Sequence, residues 1–138
     1  MFMMQEYIKK YRDKTKYDLS CSETILHAAN DAYNLNLDTS TFKAIAAFSG
    51  GMCIESVCGA VTASIAVLGI LFTKNGAHNS PHMRELVKEY LKKFGEKMSS
   101  RDCDKLKAKY RTEEEGCAHI IYVAGEILDE IVTRELHK

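Results

Sequence analysis

Cysteine is the residue type in this sequence with the widest chemistry, and it occurs five times in 138 residues. The five positions are Cys21, Cys53, Cys58, Cys103 and Cys117. No pair has the Cys-x-x-Cys spacing of thioredoxin-like sites or zinc ribbons, and no Cys-x-x-Cys-His motif for covalent haem attachment is present. Because five is odd, a fully paired disulfide framework is excluded. Any shared site must be assembled by tertiary folding from separate parts of the chain.

Four of these cysteines, Cys21, Cys58, Cys103 and Cys117, have the spacing that places each on the apolar face of a predicted helix. Three of them lie within about one turn of a predicted helix start, where unpaired N–H groups and the helix dipole favour a thiolate. We therefore predict that the four sulfurs converge at one end of the bundle. Buried cysteine also serves as a small apolar side chain, so scattered sulfurs would indicate core packing instead. We expect Cys53 to lie apart, about 140° from Cys58 on a common helix.

The elements that must position these residues are all predicted to be helical, in a single domain spanning residues 1–138, because no segment alternates with the period of a strand. Capping and turn signals give the approximate boundaries. The predicted helices are Phe2–Lys14, Ser20–Asn34 with a Ser20–Glu23 capping box, Asp38–Phe48 ended by Gly50-Gly51, Ser56–Thr73, a helix from Ser80-Pro81 to Phe94, a short helix holding Cys103 to Tyr110, and a last helix opened by a Thr112–Glu115 capping box.

The segment Ser56–Thr73 contains no charged residue and is about the shortest length that could span a bilayer. It is rich in small residues and has no flanking aromatic belt. We predict that it forms the most buried, central helix of an all-α bundle, and membrane association is the alternative.

At three glycines we expect the backbone to lie next to a bound cofactor: Gly50, Gly51 and Gly59. The Gly50-Gly51 pair lacks the Lys-Ser/Thr of a P-loop and follows a helix instead of a strand, so a tight helix-to-helix turn is the favoured interpretation. Carboxylate pairs such as Asp129-Glu130 are expected on solvated helix surface, and no hydrolase motif is visible.

The net charge and the first residues of the sequence indicate the partners and the compartment to expect. Lys plus Arg and Asp plus Glu are both 19, so the net charge is zero, which argues against nucleic acid or a membrane surface as the main partner. The first residues have no secretory pattern, because positive charges from Lys9 onward follow the N-terminal residues without an apolar stretch. We expect a cytoplasmic protein whose thiols stay reduced.

The arrangement of these cysteines and glycines resembles the redox-active C_GCAxxG_C_C family over nearly the whole chain. The matching pieces are Cys21-Ser22-Glu23, Gly50-Gly51-Met52, Cys58-Gly59-Ala60, Cys103 and Cys117. The final Gly of the family's Cys-Gly-Ala-x-x-Gly motif is replaced here by Ala63. The family is largely bacterial and is similar to a domain of certain multi-haem cytochromes that also hold an iron–sulfur cluster. The resemblance implies electron transfer or thiol redox chemistry by Cys21, Cys58, Cys103 and Cys117.

Three hypotheses follow. The leading one is a redox protein whose four cysteines bind a metal centre, an iron–sulfur cluster in preference to another thiolate-bound metal, for electron transfer to a redox partner protein. The second is metal-free cycling between dithiol and disulfide, for which Cys103 and Cys117 across a helical hairpin are the candidate pair. The third is a non-catalytic helical partner-binding module with cysteines as packing. The sequence leaves open whether a second copy of the chain completes the site as a homodimer.

Overall fold

The structure is a computed structural model and describes residues 3–138. These residues form seven α-helices and no β-strand, which confirms the all-α class. The helices are α1 Met4–Tyr11, α2 Cys21–Tyr33, α3 Thr39–Ala46, α4 Gly59–Phe72, α5 Pro81–Met98, α6 Cys103–Tyr110 and α7 Ala118–Leu136. The predicted start at Phe2 lies outside the described residues.

Local capping signals place several helix starts where the sequence predicts them. At α2 both hydrogen bonds of the capping box are present: Glu23 N–H donates to Ser20 Oγ at 3.4 Å, and Ser20 N–H donates to Glu23 Oε1 at 3.1 Å. At α3 the Asp38 carboxylate accepts a hydrogen bond from Thr41 N–H at 3.0 Å. Pro81 is the first residue of α5, where its missing N–H costs nothing.

Two helices begin later than predicted, and both delays place a cysteine at an N-cap. The segment before α4 pairs with the segment before α6 through an antiparallel bridge between Val57 and Asp102, so α4 starts at Gly59 and Cys58 is its N-cap. The predicted hydrogen bond from Glu115 N–H to Thr112 Oγ1 is present at 3.1 Å, but residues 112–116 close into a turn, so α7 starts at Ala118 and Cys117 is its N-cap. In both places backbone pairing outside the helix competes with the first predicted turn.

The core is built around two helices. The uncharged α4 packs against α2, α5 and α7. Seven of its fourteen residues are buried, whereas Ile70 near its end is 41% exposed. Eleven of the nineteen residues of α7 are buried. The prediction that the Ser56–Thr73 helix is the most buried is therefore wrong, because α7 shares the centre of the bundle. Within residues 3–138, no helix has the length and apolar character needed to cross a membrane.

Asp129 lies inside this core, and its expected place on the solvated surface is wrong. The carboxylate accepts hydrogen bonds from the backbone N–H of Met4 at 2.7 Å and from the hydroxyl of Tyr33. Burial raises the pKa of Asp129, since the charged form is poorly solvated there. The two hydrogen bonds attach α1 and α2 to α7, so this carboxyl group has a structural role.

Replacing Tyr33 by phenylalanine should lower the free energy of unfolding by about 1–3 kcal/mol, because one oxygen of Asp129 is then buried without its partner. Tyr122→Phe is the matched control, since the Tyr122 hydroxyl makes no hydrogen bond within the described part of the chain. Urea unfolding of both variants measures the difference. Equal midpoints for the two variants would contradict the structural role given to the Tyr33–Asp129 contact.

Candidate functional site

A single cavity of about 280 Å³ is lined by Cys21, Cys58, Cys103 and Cys117. Each of these cysteines stands at a helix start: Cys21 and Cys103 are the first residues of α2 and α6, and Cys58 and Cys117 are the N-caps of α4 and α7. The N-terminal ends of four helices therefore surround one cavity. Cys53 does not line it and is exposed.

The bridge between the segments before α4 and α6 fixes two of these cysteines. Cys58 N–H donates to the carbonyl of Arg101 at 2.8 Å, and Cys103 N–H donates to the carbonyl of Ser56 at 2.6 Å. Both cysteines are almost completely buried, with 5% of Cys58 and 6% of Cys103 exposed. These two backbone hydrogen bonds place the thiols of Cys58 and Cys103 on the same wall of the cavity.

Cys21 comes to this wall because α4 approaches α2 very closely. A Cβ built on Gly59 would lie 2.7 Å from Cys21 Sγ and 2.9 Å from the carbonyl oxygen of Phe48. Only glycine at this position leaves room for the sulfur. The structure thus places Gly59, one of the three glycine candidates, directly against a site cysteine.

A left-handed turn forms the next part of the wall. Gly50, Gly51, Met52 and Cys53 have consecutive φ values of 60°, 63°, 62° and 64°. For Met52 and Cys53 this conformation costs roughly 1–2 kcal/mol each. Gly50 lines the cavity, and a Cβ on Gly51 would lie 2.8 Å from Cys103 Cβ. The expectation that Cys53 shares a helix with Cys58 is wrong, because this turn separates them.

The fourth cysteine, Cys117, follows the closed turn 112–116. Thr112 and Gly116 exchange two backbone hydrogen bonds, of 3.1 and 2.8 Å, and Gly116 has a φ of 59°. Arg12 Nη2 donates to the carbonyl of Glu115 at 3.0 Å. This contact holds the segment after α1 against the turn and brings the Arg12 guanidinium to the cavity.

Cys21 and Cys58 form an electrostatically coupled pair with opposite pKa shifts. Hydrogen bonding from the Cys58 thiol, followed by the backbone N–H groups of Gly50 and Ser22, lowers the pKa of Cys21 to about 6. The neighbouring Cys21 sulfur, then burial, raises the pKa of Cys58 far above its usual range. At neutral pH the pair therefore holds one thiolate, on half-buried Cys21, and one thiol, on buried Cys58.

Cys103 has a different environment. Burial raises the pKa of its thiol, and the Lys107 ammonium partly opposes this shift. The charges of Cys21 and Cys117 also raise the pKa of Cys103, since like charges around one cavity disfavour a further thiolate. The dithiol pair predicted from sequence, Cys103 with Cys117, is therefore not the pair that the structure couples most strongly.

Basic side chains line the same cavity. They are Arg12, Lys14, Lys107 and Arg111, and none of the described residues that line the cavity is acidic. No sequence pattern indicates this cluster, because the four residues belong to two distant segments whose charges are ordinary for helix ends. Only the folded chain brings Arg12 and Lys14 opposite α6.

The donor set fits an iron–sulfur cluster in kind and number, since four thiols line one cavity. The four thiols do not form a site for a single metal ion. Among residues 3–138, no three cysteine, histidine or acidic side chains are grouped closely enough to hold one. A binuclear cluster needs only two thiolates on each iron.

Comparison with known proteins agrees with the cysteine pattern. Searches of curated proteins and of solved structures found no match. The family model described as "Putative redox-active protein (C_GCAxxG_C_C)" matches residues 19–131, which include all four cysteines of the cavity. This match covers most of the 138 residues. The chain therefore belongs to the redox-active C_GCAxxG_C_C family.

Proposed function

We propose that this protein is a thiol–disulfide redox protein in which Cys21 is the attacking thiolate and Cys58 the second thiol. The observation that carries the proposal is the meeting of Cys21 and Cys58 at one cavity, where Gly59, next to Cys58, leaves room for Cys21 Sγ. The lowered pKa of Cys21 and the raised pKa of Cys58 support it. A thiolate with a pKa near ambient pH is the best nucleophile for disulfide exchange. Cys21 is also the more accessible of the two sulfurs.

The proposed reaction transfers two electrons from the protein to a disulfide. The Cys21 thiolate attacks one sulfur of the substrate, forms a mixed disulfide and releases the other half as a thiolate. Cys58 then loses its proton and attacks Cys21 Sγ, which releases the second half of the substrate and leaves a Cys21–Cys58 disulfide. The substrate becomes two thiol molecules, one of them as thiolate. The reverse sequence reduces the protein when a dithiol donor is available.

Cys103 and Cys117 complete the proposed set of redox thiols. Both line the cavity beside the coupled pair, and the charges of Cys21 and Cys117 raise the pKa of Cys103 across it. Either could exchange with a Cys21–Cys58 disulfide once it has formed. Free thiols of this kind persist in a reducing compartment, so we place the protein in the cytoplasm with a redox partner protein.

An iron–sulfur cluster is the second candidate function, favoured by the four thiols and four helix starts around one cavity. When bound, such a cluster supplies one-electron transfer. The four cysteines would be its ligands, and the helix starts would direct N–H groups toward the sulfurs and stabilise their negative charge. Gly50, Gly51 and Gly59 would let the backbone lie close to the group. Stoichiometric iron and acid-labile sulfide after anaerobic purification would favour this candidate.

We expect metal-free protein treated with a small neutral disulfide to form an intramolecular Cys21–Cys58 disulfide, identified by peptide mapping under acidic conditions. In Cys58→Ser the reaction should stop at a mixed disulfide on Cys21, because the second thiol is missing. The matched control, Cys53→Ser, should still form the Cys21–Cys58 disulfide, since Cys53 lies outside the cavity.

Two results would count against the dithiol proposal. One is a disulfide that avoids Cys21 and forms between other cysteines. The other is anaerobically purified protein that carries stoichiometric iron and sulfide and exchanges no disulfide after the cluster is removed.

A further inference from the structure

We propose that the thiol cavity takes a small anionic disulfide, namely a low-molecular-weight thiol compound in its oxidised form that carries carboxylate groups. This inference rests on the proposed thiol–disulfide function and adds the substrate class. It is carried by the positive lining of the cavity, the accessibility of its cations and its dimensions.

Apart from the cysteine sulfurs, every ionisable side chain that lines the cavity is basic. Arg12, Lys14, Lys107 and Arg111 line it without an acidic neighbour among the described lining residues, although the whole chain has as many acidic as basic residues. Four helix N-terminal ends add their partial positive charges to the same space. A low-dielectric cavity with charges of one sign concentrates ligands of the opposite sign.

Most of these cations are available to a ligand. Lys14 and Arg111 are exposed, and neither forms an ion pair with another described residue. Among residues 3–138, the one ion-pair contact of Lys107 is with Glu55, at a long 3.9 Å. Arg12 uses Nη2 for the carbonyl of Glu115, which leaves its other N–H groups for an anion.

The basic side chains also extend beyond the sulfurs. A second, shallower depression of about 640 Å³ shares Lys14, Lys107 and Arg111 with the thiol cavity, and Asp104 and Glu113 also line it, so the three cations act on a ligand mainly at the border of the two. A disulfide whose sulfur lies at Cys21 can therefore place a carboxylate-bearing arm along these three cations. This arrangement binds both ends of an extended anion: the reacting sulfur in the cavity and the carboxylates at its edge.

The size and depth of the thiol cavity favour a small molecule over a folded protein as the substrate. The thiol cavity, of about 280 Å³, lies near the lower end of the range for small-ligand pockets. Its floor includes buried Cys58 and Cys103 together with the apolar side chains of Leu106 and Ile120. A compact disulfide reaches sulfurs at this depth, whereas the surface of a folded partner would contact mainly the rim.

The test compares three probe disulfides on metal-free protein: dianionic dithiobis(nitrobenzoate), neutral dithiodipyridine and dicationic cystamine. Each rate is divided by the rate of the same probe with mercaptoethanol, which removes intrinsic reactivity. At low salt we expect the normalised rate to be about tenfold higher for the dianion than for the neutral probe, and lowest for the dication. This preference should shrink as ionic strength rises.

Charge reversal at the rim provides the matched variants. Arg111→Glu should lower the normalised rate of the dianion about tenfold relative to that of the neutral probe, and Arg111→Gln should give an intermediate ratio. Arg84→Glu makes the same charge change on the exposed surface of α5, away from the cavity, and should change neither rate.

The two proposals fail separately. Equal normalised rates for all three probes, or equal effects of Arg111→Glu and Arg84→Glu, would overturn the anionic substrate class and leave the dithiol function standing. Failure of the neutral probe to produce a Cys21–Cys58 disulfide would overturn the proposed function, and the substrate class with it.

Discussion

Replacing Cys21 by serine is expected to remove the fast thiol reaction of this protein with a neutral alkylating agent at pH 7. With a pKa of about 6, Cys21 is mostly thiolate at this pH, and an ordinary cysteine with a pKa of about 8.5 is roughly thirtyfold less ionised. The pKa values of the neighbouring Cys58 and Cys103 are raised, so these thiols cannot replace it. A thiolate of lower pKa is also a weaker nucleophile, by about tenfold over this pKa difference, so the expected loss of rate relative to an ordinary cysteine is at least about threefold.

This measurement is cleanest in a Cys53→Ser background, because Cys53 is exposed and reacts independently of the cavity. Cys53→Ser alone should keep the fast phase. Thiolate is the reactive form, so the rate should fall as the pH is lowered through about 6 and stay level above it. A fast phase that survives Cys21→Ser, with the label on Cys58 or Cys103, would assign the nucleophile to another residue.

The lowered pKa of Cys21 also makes the free energy of unfolding depend on pH. Because the pKa of Cys21 is lower in the folded than in the unfolded chain, ionisation stabilises the fold fully above the unfolded pKa of about 8.5. That contribution declines as the pH falls and is lost below the folded pKa of about 6. Cys21→Ser should remove this part of the pH dependence.

Much of the fold was predictable because it depends on local signals. The Ser20–Glu23 capping box, the Asp38 N-cap and Pro81 each act within one helical turn, and each helix begins where these residues indicate. The family pattern also depends on residue types in order along the chain. These features need no knowledge of which helices meet.

The parts that could not be predicted depend on pairings between distant segments. The bridge between Val57 and Asp102 delays α4 and makes Cys58 an N-cap, and nothing within residues 52–60 indicates that partner. The left-handed turn at Gly50–Cys53 includes two residues that rarely adopt positive φ. The coupled Cys21–Cys58 pair follows from both features, so the sequence could not identify it.

Gly59→Ala is expected to raise the pKa of Cys21 and to move the pH inflection of its alkylation rate upward, without removing any thiol. The added Cβ would lie 2.7 Å from Cys21 Sγ, which is closer than real side chains approach. It cannot relax toward α3, since the carbonyl oxygen of Phe48 lies at 2.9 Å on that side. The sulfur must therefore move away from the Gly50 N–H and the Cys58 thiol, the groups that stabilise its charge.

Gly69→Ala is the matched control on the same helix, because its Cβ would meet only Thr73 Oγ1, at an ordinary 3.8 Å. Both substitutions favour helix formation by up to about 1 kcal/mol, so helix propensity cannot explain a difference between them. The inflection of the alkylation rate should stay near pH 6 in Gly69→Ala and move upward in Gly59→Ala. An unchanged inflection in a folded Gly59→Ala protein would show that the thiolate at Cys21 does not depend on the close approach of α4, and that its charge is stabilised mainly by the start of α2 itself.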